Sequence, residues 1–174
     1  MSKTFQPQGQ QQSVPPTTPS DDEHWMRVAL VAARAASELG EVPVGACVVS
    51  SDGTLLAVAG NRTRINCDPT AHAEIVALRE AARQVGNYRL TETIVYSTIE
   101  PCAMCAGALV QARVKRLAYG APDERAGAVA SVFRVCDASS LNHCLELTPG
   151  VLEEECRNMM QAFFRARRKA RIKE

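Results

Sequence analysis

Residues 70–85, TAHAEIVALREAARQV, decide how this chain is organised, because they combine a helical pattern with two reactive side chains. The apolar residues recur on one stripe at helical spacing: Ile75, Leu78, Ala82 and Val85. That spacing predicts a helix, and Gly86 supplies the usual stop signal at its end. The reactive groups, His72 and Glu74, fall at the start of the predicted helix.

Strand and helix patterns alternate on both sides of this segment. The predicted elements are a first helix capped by Asp21–Asp22 and ended by Gly40, strands at 45–50 and 54–60, the central helix, a strand at 93–98, a helix at 102–112, a strand at 116–119, and a last helix opened by Thr148-Pro149. The Asp52-Gly53 turn makes the first two strands an antiparallel hairpin. We therefore predict a three-layer α/β domain with a mixed sheet.

Length and composition fit one globular domain. The chain has 174 residues, of which 46% are hydrophobic and 22% charged, so fibrous and wholly disordered classes are excluded. No apolar run reaches the length that spans a bilayer, and we expect no membrane partner. Seven cysteines are an odd number in a chain long enough to fold without disulfides, which favours a reducing, cytoplasmic location.

The two ends of the chain differ from its middle. Residues 1–20 are rich in Gln, Pro, Ser and Thr and predict a disordered, dispensable tail, which leaves 21–174 as the folded domain. From Phe163 onward the chain has six basic residues and one acidic residue, whereas residues 1–162 carry 14 basic and 18 acidic side chains. The basic C-terminal helix is either an RNA-contacting element or a solubilising tail, and the aromatic pair before its arginines favours RNA.

A second segment, Pro101-Cys-Ala-Met-Cys105, complements His72. Cysteines at i and i+3 share one helix face, and one imidazole with two thiolates suits Zn²⁺ and leaves a coordination position for water. Both halves fall at predicted helix starts, where partial positive charge favours thiolates. Glu74 lies on a different face from His72, as a proton shuttle beside the metal requires. The alternatives are a helix-start histidine with core cysteines, and a structural zinc in a non-catalytic RNA-binding protein.

The pattern H-x-E…P-C-x-x-C resembles that of the zinc deaminases. Between Trp25 and Arg168 the chain resembles the bacterial tRNA-specific adenosine deaminases in these stretches: EVPVGA (41–46), NR (61–62), DPTAHAEI (68–75), ALR (77–79), NYRL (87–90), EPCAMCAGA (100–108), LNH (141–143) and FFRARR (163–168). The resemblance implies a cytidine-deaminase-like α/β/α fold, one Zn²⁺ per subunit, a homodimer and no organic cofactor. The implied reaction converts adenosine to inosine at wobble position 34 of the anticodon stem-loop, in the arginine tRNA reading ACG.

The same resemblance implies roles for individual residues. The implied roles are zinc ligation for His72, Cys102 and Cys105; proton transfer for Glu74; contact with the substrate nucleoside for Asn61; the pocket wall for Ala71 and Pro101; approach to the RNA backbone for Asp123; and the anticodon-loop side for Asn142, Phe164 and Arg165. One loop departs from the family pattern, because residues 124–127 read ERAG in place of a Lys-Thr pair, and Ala130 replaces an expected glycine. Arg125 keeps a positive charge there.

A competing enzymatic interpretation is a zinc deaminase of free cytosine, free guanine or a nucleotide. Such an enzyme would use the same zinc core but would need no basic helix. Comparing the rates on tRNA and on free bases distinguishes the two interpretations. Glu74 argues against a purely structural zinc, since a structural site has no use for a carboxylate beside its ligands.

Overall fold

The computed structural model describes residues 19–171, which form four helices and five strands. The elements are α1 (Pro19–Glu38), β1 (Gly45–Ser50), β2 (Leu55–Gly60), α2 (Ala73–Val85), β3 (Thr93–Ile99), α3 (Ala103–Gln111), β4 (Arg116–Ala121), β5 (Glu146–Thr148) and α4 (Glu153–Arg171). Gly86 ends α2 in the left-handed conformation, as its sequence position predicts. None of the helices in this range is both long and apolar enough to cross a membrane.

The strands form one mixed sheet in the order β2-β1-β3-β4-β5. β1 pairs antiparallel with β2 and with β3, whereas β3, β4 and β5 run parallel to one another. α2 and α3 pack through one hydrophobic cluster on one face of the sheet, and α1 and α4 pack through a second cluster on the other face. The predicted three-layer α/β/α fold with a mixed sheet is confirmed.

The last helix starts later than predicted, and a short strand precedes it. Thr148 belongs to β5, where it pairs with Ala118 of β4, so the prediction that Thr148-Pro149 opens the helix is wrong. Gly150 then turns the chain with a positive φ of 81°, and α4 begins at Glu153. A three-residue edge strand carries too little alternation to be recognised from sequence.

The predicted helix cap at Asp21–Asp22 is also wrong, because α1 already begins at Pro19. Asp22 faces the sheet, where its buried carboxylate accepts hydrogen bonds from the Tyr96 hydroxyl at 2.8 Å and from Arg116 at 2.6 and 2.9 Å. A carboxylate needed for a buried ion pair is not available to cap a helix. Of the predicted disordered tail, residues 1–18 lie outside the described range.

Candidate active site

The predicted metal ligands stand at the starts of two helices. His72 precedes α2 and Cys102 precedes α3, and both residues have extended backbone conformations. Neither side chain makes a capping hydrogen bond to its own helix, so both can turn toward another group. α3 begins just after the carboxyl end of β3. The end of β2, which leads to α2, lies at the same edge, because Gly60 pairs with Gly45 of β1 and the next residue of β1 pairs with Ser97 of β3. The two helix starts therefore meet near the carboxyl end of β3.

The structure brings His72, Cys102 and Cys105 into one cluster. Nδ1 of His72 lies 3.7 Å from Sγ of Cys102 and 3.6 Å from Sγ of Cys105. Zinc bonds of about 2.05 Å to nitrogen and about 2.3 Å to sulfur, at a tetrahedral angle, put those atoms about 3.6 Å apart. Their ligand atoms all lie within 4.8 Å of one another, and no other such group of three occurs within residues 19–171. The donor set and its spacing fit Zn²⁺.

The two thiols differ in acidity because they interact with each other. Hydrogen bonds from Cys105 and His72 lower the pKa of the Cys102 thiol to about 3. The bond to Cys102, together with burial, raises the pKa of Cys105. These contacts favour the thiolate form of Cys102, and a bound dication would also favour the thiolate of Cys105.

Glu74 lies beside this cluster and is almost completely buried. The Ser97 hydroxyl donates its one proton to the carbonyl of Ile99 at 2.7 Å, and Oε1 of Glu74 lies 3.4 Å from the same hydroxyl. Oε2 of Glu74 is buried and has no hydrogen-bond partner among the described residues. Burial raises the pKa of this carboxyl group. An unpartnered buried oxygen is costly unless a ligand or water engages it, so Oε2 is a candidate contact for a bound group.

Three predicted pocket residues flank the cluster. Oδ1 of Asn61 accepts the N–H of Ala73 at 2.8 Å, so this side chain caps α2 from a distant part of the chain. The Asn61 amide –NH₂ takes no part in this cap. Ala71 and Pro101 are buried and directly precede the ligands His72 and Cys102. All three lie next to the predicted metal site.

Asp123 lies on a loop that returns to the site. Its Oδ1 accepts the N–H groups of Arg125 at 3.0 Å and Ala126 at 3.2 Å, so the carboxylate stabilises the turn that follows it. Four residues later Gly127 forms a β-bridge with Cys102. Despite its departure from the family pattern, the loop is therefore held against the metal-ligand segment.

Two buried carboxylates that sequence reasoning missed hold the loops around the site. Glu41 accepts the N–H groups of Arg64 and Ile65 at 2.8 and 2.9 Å and thereby fixes the loop after Asn61. Glu100 binds the Asp123 loop in the same way. The signal that could have found them is that Glu41 and Glu100 open two of the stretches that resemble the family, EVPVGA (41–46) and EPCAMCAGA (100–108).

The other predicted RNA-facing residues lie apart from the ligands. The carbonyl of Asn142 accepts a hydrogen bond at 2.6 Å from Arg113, which precedes the start of β4, whereas the site lies at the opposite end of the parallel strands. Phe164 and Arg165 lie on α4, behind the sheet. Phe164 is 42% exposed and contacts Phe163 edge to face. The structure does not bring these three residues to the metal cluster within one chain.

Comparison with known proteins agrees with this site. The sequence model of the MafB19-like deaminases matches residues 20–168. A tRNA-specific adenosine deaminase of Haemophilus influenzae is 48% identical over 84% of this chain and 85% of its own, and that of Bacillus subtilis is 41% identical over 86% and 92%. A structure solved in a study of A-to-I editing by tRNA:A34 deaminases at the wobble position of transfer RNA is 45% identical. It superposes with a TM-score of 0.76 over 78% of this chain and 98% of its own.

The range matched by the family model includes the helix starts at His72 and Cys102. The matching region also covers the sheet and all but the last residues of α4. The two curated relatives likewise match over 84% and 86% of this chain. The chain belongs to the MafB19-like deaminase family and, within it, to the tRNA-specific adenosine deaminases.

Proposed function

We propose that this protein hydrolyses adenosine to inosine at wobble position 34 of a tRNA anticodon, with the arginine tRNA reading ACG as its substrate. The observation that carries the proposal is the unpartnered Oε2 of Glu74 beside the His72, Cys102 and Cys105 cluster. Membership of the tRNA-specific adenosine deaminases supports the choice of substrate. The overall reaction is adenosine plus water to inosine plus ammonia.

His72, Cys102 and Cys105 would hold one Zn²⁺ per subunit, through Nδ1 and the two sulfur atoms. Three protein ligands leave the fourth position open, and the ion supplies acidification of a water there. The helix starts that carry the ligands add partial positive charge, which favours the thiolates. Glu74 is not in the ligand set, which leaves its carboxylate free for proton transfer.

Glu74 is proposed to act first as a base and then as an acid. Its Oε2 takes a proton from the water that attacks C6 of adenine and delivers this proton to ring N1. The carboxylate then takes the second proton, from the hydroxyl now on C6, and delivers it to the amine, so that ammonia leaves as the C6 carbonyl forms. Burial, which raises the pKa of Glu74, keeps a bound proton available for the second half of the reaction. Oε2 has no hydrogen-bond partner among the described residues, so we assign the proton transfer to this oxygen.

The walls of the pocket are proposed to select an unstacked nucleoside. Asn61 would donate from its amide –NH₂ to the nucleoside while its oxygen caps α2. Ala71 and Pro101 would pack against the base, and Asp123 would lie near the RNA backbone. An anticodon loop presents a splayed base more readily than a duplex does, because its bases are already free of pairing.

The proposal is tested by incubating the purified protein with an arginine tRNA transcript reading ACG and sequencing the product. Inosine is read as guanosine, so we expect adenosine 34 to appear as guanosine. A matched transcript with guanosine at position 34 controls for sequencing errors. In parallel assays, faster deamination of free guanine, free cytosine or a nucleotide than of tRNA would overturn the proposal in favour of the free-base alternative.

The basic end of α4 is proposed to bind RNA phosphates, together with Phe164 and Arg165. Residues 165–170 are exposed, so shortening the chain to end at Phe164 uncovers no core. We expect this form to lose tRNA affinity while it keeps its zinc and its fold. Each lost phosphate contact should flatten the dependence of log Kd on log salt by about 0.7–0.9, so a loss of three contacts changes the slope by about 2.

A full-length variant in which all six basic residues after Phe164 are changed to glutamine controls for the missing helical turns; these are Arg165, Arg167, Arg168, Lys169, Arg171 and Lys173. It should show the same flattening of the slope. Identical salt slopes for these variants and the intact protein would contradict the phosphate contacts. The RNA would then be held by the Asp123 loop and a partner subunit.

A homodimer and a cytoplasmic location complete the proposal. The family resemblance supports the dimer, and the placement of Asn142, Phe164 and Arg165 away from the metal cluster agrees with an RNA that contacts more than one subunit. The substrate, a tRNA, supports the cytoplasm. Size-exclusion chromatography with light scattering measures the oligomeric state directly, and we expect the mass of two chains.

A further inference from the structure

Glu100 is a buried carboxylate that collects hydrogen bonds from one loop. Its Oε1 accepts the N–H groups of Val129, Ala130 and Ser131 at 3.1, 2.8 and 2.9 Å. Its Oε2 accepts the N–H of Asp123 at 3.0 Å and the hydroxyl of Ser131. The side chain is 2% exposed. Four main-chain donors and a hydroxyl therefore converge on one charged group, which is a strong, charge-assisted arrangement.

The loop also packs closely against the Glu100 side chain. A Cβ added to Gly127 would overlap the carboxyl group of Glu100, so only glycine fits at this point. The N–H of Ala128 donates to the carbonyl of Pro101 at 2.8 Å, and Gly127 pairs with Cys102. The segment 123–131 is thus attached to the chain that enters the metal cluster.

We propose that Glu100 is a positioning residue for RNA recognition, because it fixes the 123–131 loop in the conformation that the anticodon loop binds. It touches neither the substrate nor the ligand atoms and acts through Asp123 and the main chain of the loop. This inference rests on the proposed function, since it assumes an RNA substrate at this loop. The hydrogen bonds also account for how a loop with the sequence ERAG, which departs from the family pattern, keeps one conformation.

Replacing Glu100 with glutamine affects the hydrogen bonds at one end of the loop, at Asp123, and spares those at the other end, at residues 129–131. The amide oxygen can keep the place of Oε1 and still accept from the three N–H groups of residues 129–131. The amide –NH₂ then takes the place of Oε2 and meets the N–H of Asp123, so that two donors face each other. The Ser131 hydroxyl can rotate to accept instead. Glu100→Gln therefore releases the Asp123 end of the loop and leaves the other end in place.

The sign of the effect distinguishes positioning from simple electrostatics. Removing a negative charge near RNA should by itself tighten binding and lower KM, since phosphates are repelled by carboxylates. Loss of the anchor has the opposite effect, because RNA must then order the loop when it binds. Glu124→Gln removes a charge from the exposed part of the same loop without touching the anchor and measures the electrostatic effect alone.

The experiment measures steady-state deamination of the ACG anticodon stem-loop by the zinc-loaded full chain. For Glu100→Gln we expect KM to rise about tenfold, which is the usual effect of one lost hydrogen bond to a charged group, with kcat changed less than about threefold. Hydrogen exchange should quicken in peptides covering residues 123–127. Gly127→Ala, which displaces the same carboxyl group, should raise KM in the same direction. Zinc content should stay near one per chain in both variants.

Several outcomes would overturn the positioning role. They are an unchanged or lower KM for Glu100→Gln, a loss of kcat alone as partial unfolding would give, or unchanged hydrogen exchange in the loop. A wild-type protein that fails to deaminate the stem-loop would instead refute the proposed function. The hydrogen-exchange comparison would still report whether Glu100 holds the loop.

Discussion

Changing Glu74 to glutamine should lower kcat/KM for the anticodon stem-loop by about 10⁴-fold. General acid–base catalysis contributes about 10²- to 10⁴-fold, and we expect the upper end because one carboxyl group is assigned both proton transfers. Glutamine keeps the shape of the side chain and the contact with Ser97 but cannot accept the proton from water. Zinc content and stem-loop affinity should remain unchanged, since Glu74 is not in the ligand cluster.

Glu80→Gln is the matched control for this result. Glu80 lies on the same helix, is exposed and forms an ion pair with Arg83, so its replacement should leave turnover near the wild-type value. Single-turnover rates with enzyme in excess of RNA measure the chemical step without product release. A Glu74→Gln rate within tenfold of wild type would mean that another group moves the proton.

The second large effect concerns the metal. The purified protein should contain about one zinc per chain, and Cys102→Ser and Cys105→Ser should each reduce this to a small fraction. A hydroxyl is a much weaker ligand for zinc than a thiolate, and two remaining protein ligands do not make a stable tetrahedral site. Elemental analysis after dialysis against a weak chelator gives the ratio directly.

Cys144→Ser controls for the general effect of removing a thiol. Cys144 is exposed and lies outside the cluster, so this variant should keep its full zinc content. Circular dichroism establishes whether the ligand variants remain folded, because loss of zinc from an unfolded protein would be uninformative. Folded Cys102→Ser and Cys105→Ser proteins that both keep one zinc per chain would refute the ligand assignment.

The sequence predicted the metal cluster more accurately than the surroundings that support it. Short spacing explains this difference: Cys102 and Cys105 are three residues apart at the start of one helix and so lie close together, and His72 carries the same kind of helix-start signal. Glu100 could not be assigned, since its five donors come from residues 23 to 31 positions away. Long-range partners of a buried charge leave no periodic pattern in a sequence.

Asp22 shows the same limit within the fold. Acidic residues near the start of a helical pattern are typical caps, and local reasoning therefore assigned that role. The actual partner, Arg116, is 94 residues away, and the ion pair forms only when α1 lies against β4. β5 was missed for a related reason, since a three-residue strand is defined by its neighbour β4 and not by its own sequence.

The position of β3 between the two ligand-bearing helices has a consequence for how the metal is acquired. In an unfolded chain, bringing His72 to Cys102 closes a loop of 30 residues, for which the length-dependent part of the entropic cost is about 3 kcal/mol. Pairing of β3 with β1 and β4 also brings these segments together, through main-chain hydrogen bonds that involve none of the three ligand atoms. The sheet thus holds the predicted ligand side chains close together. Substitutions that loosen the sheet will therefore weaken metal retention even where they touch no ligand.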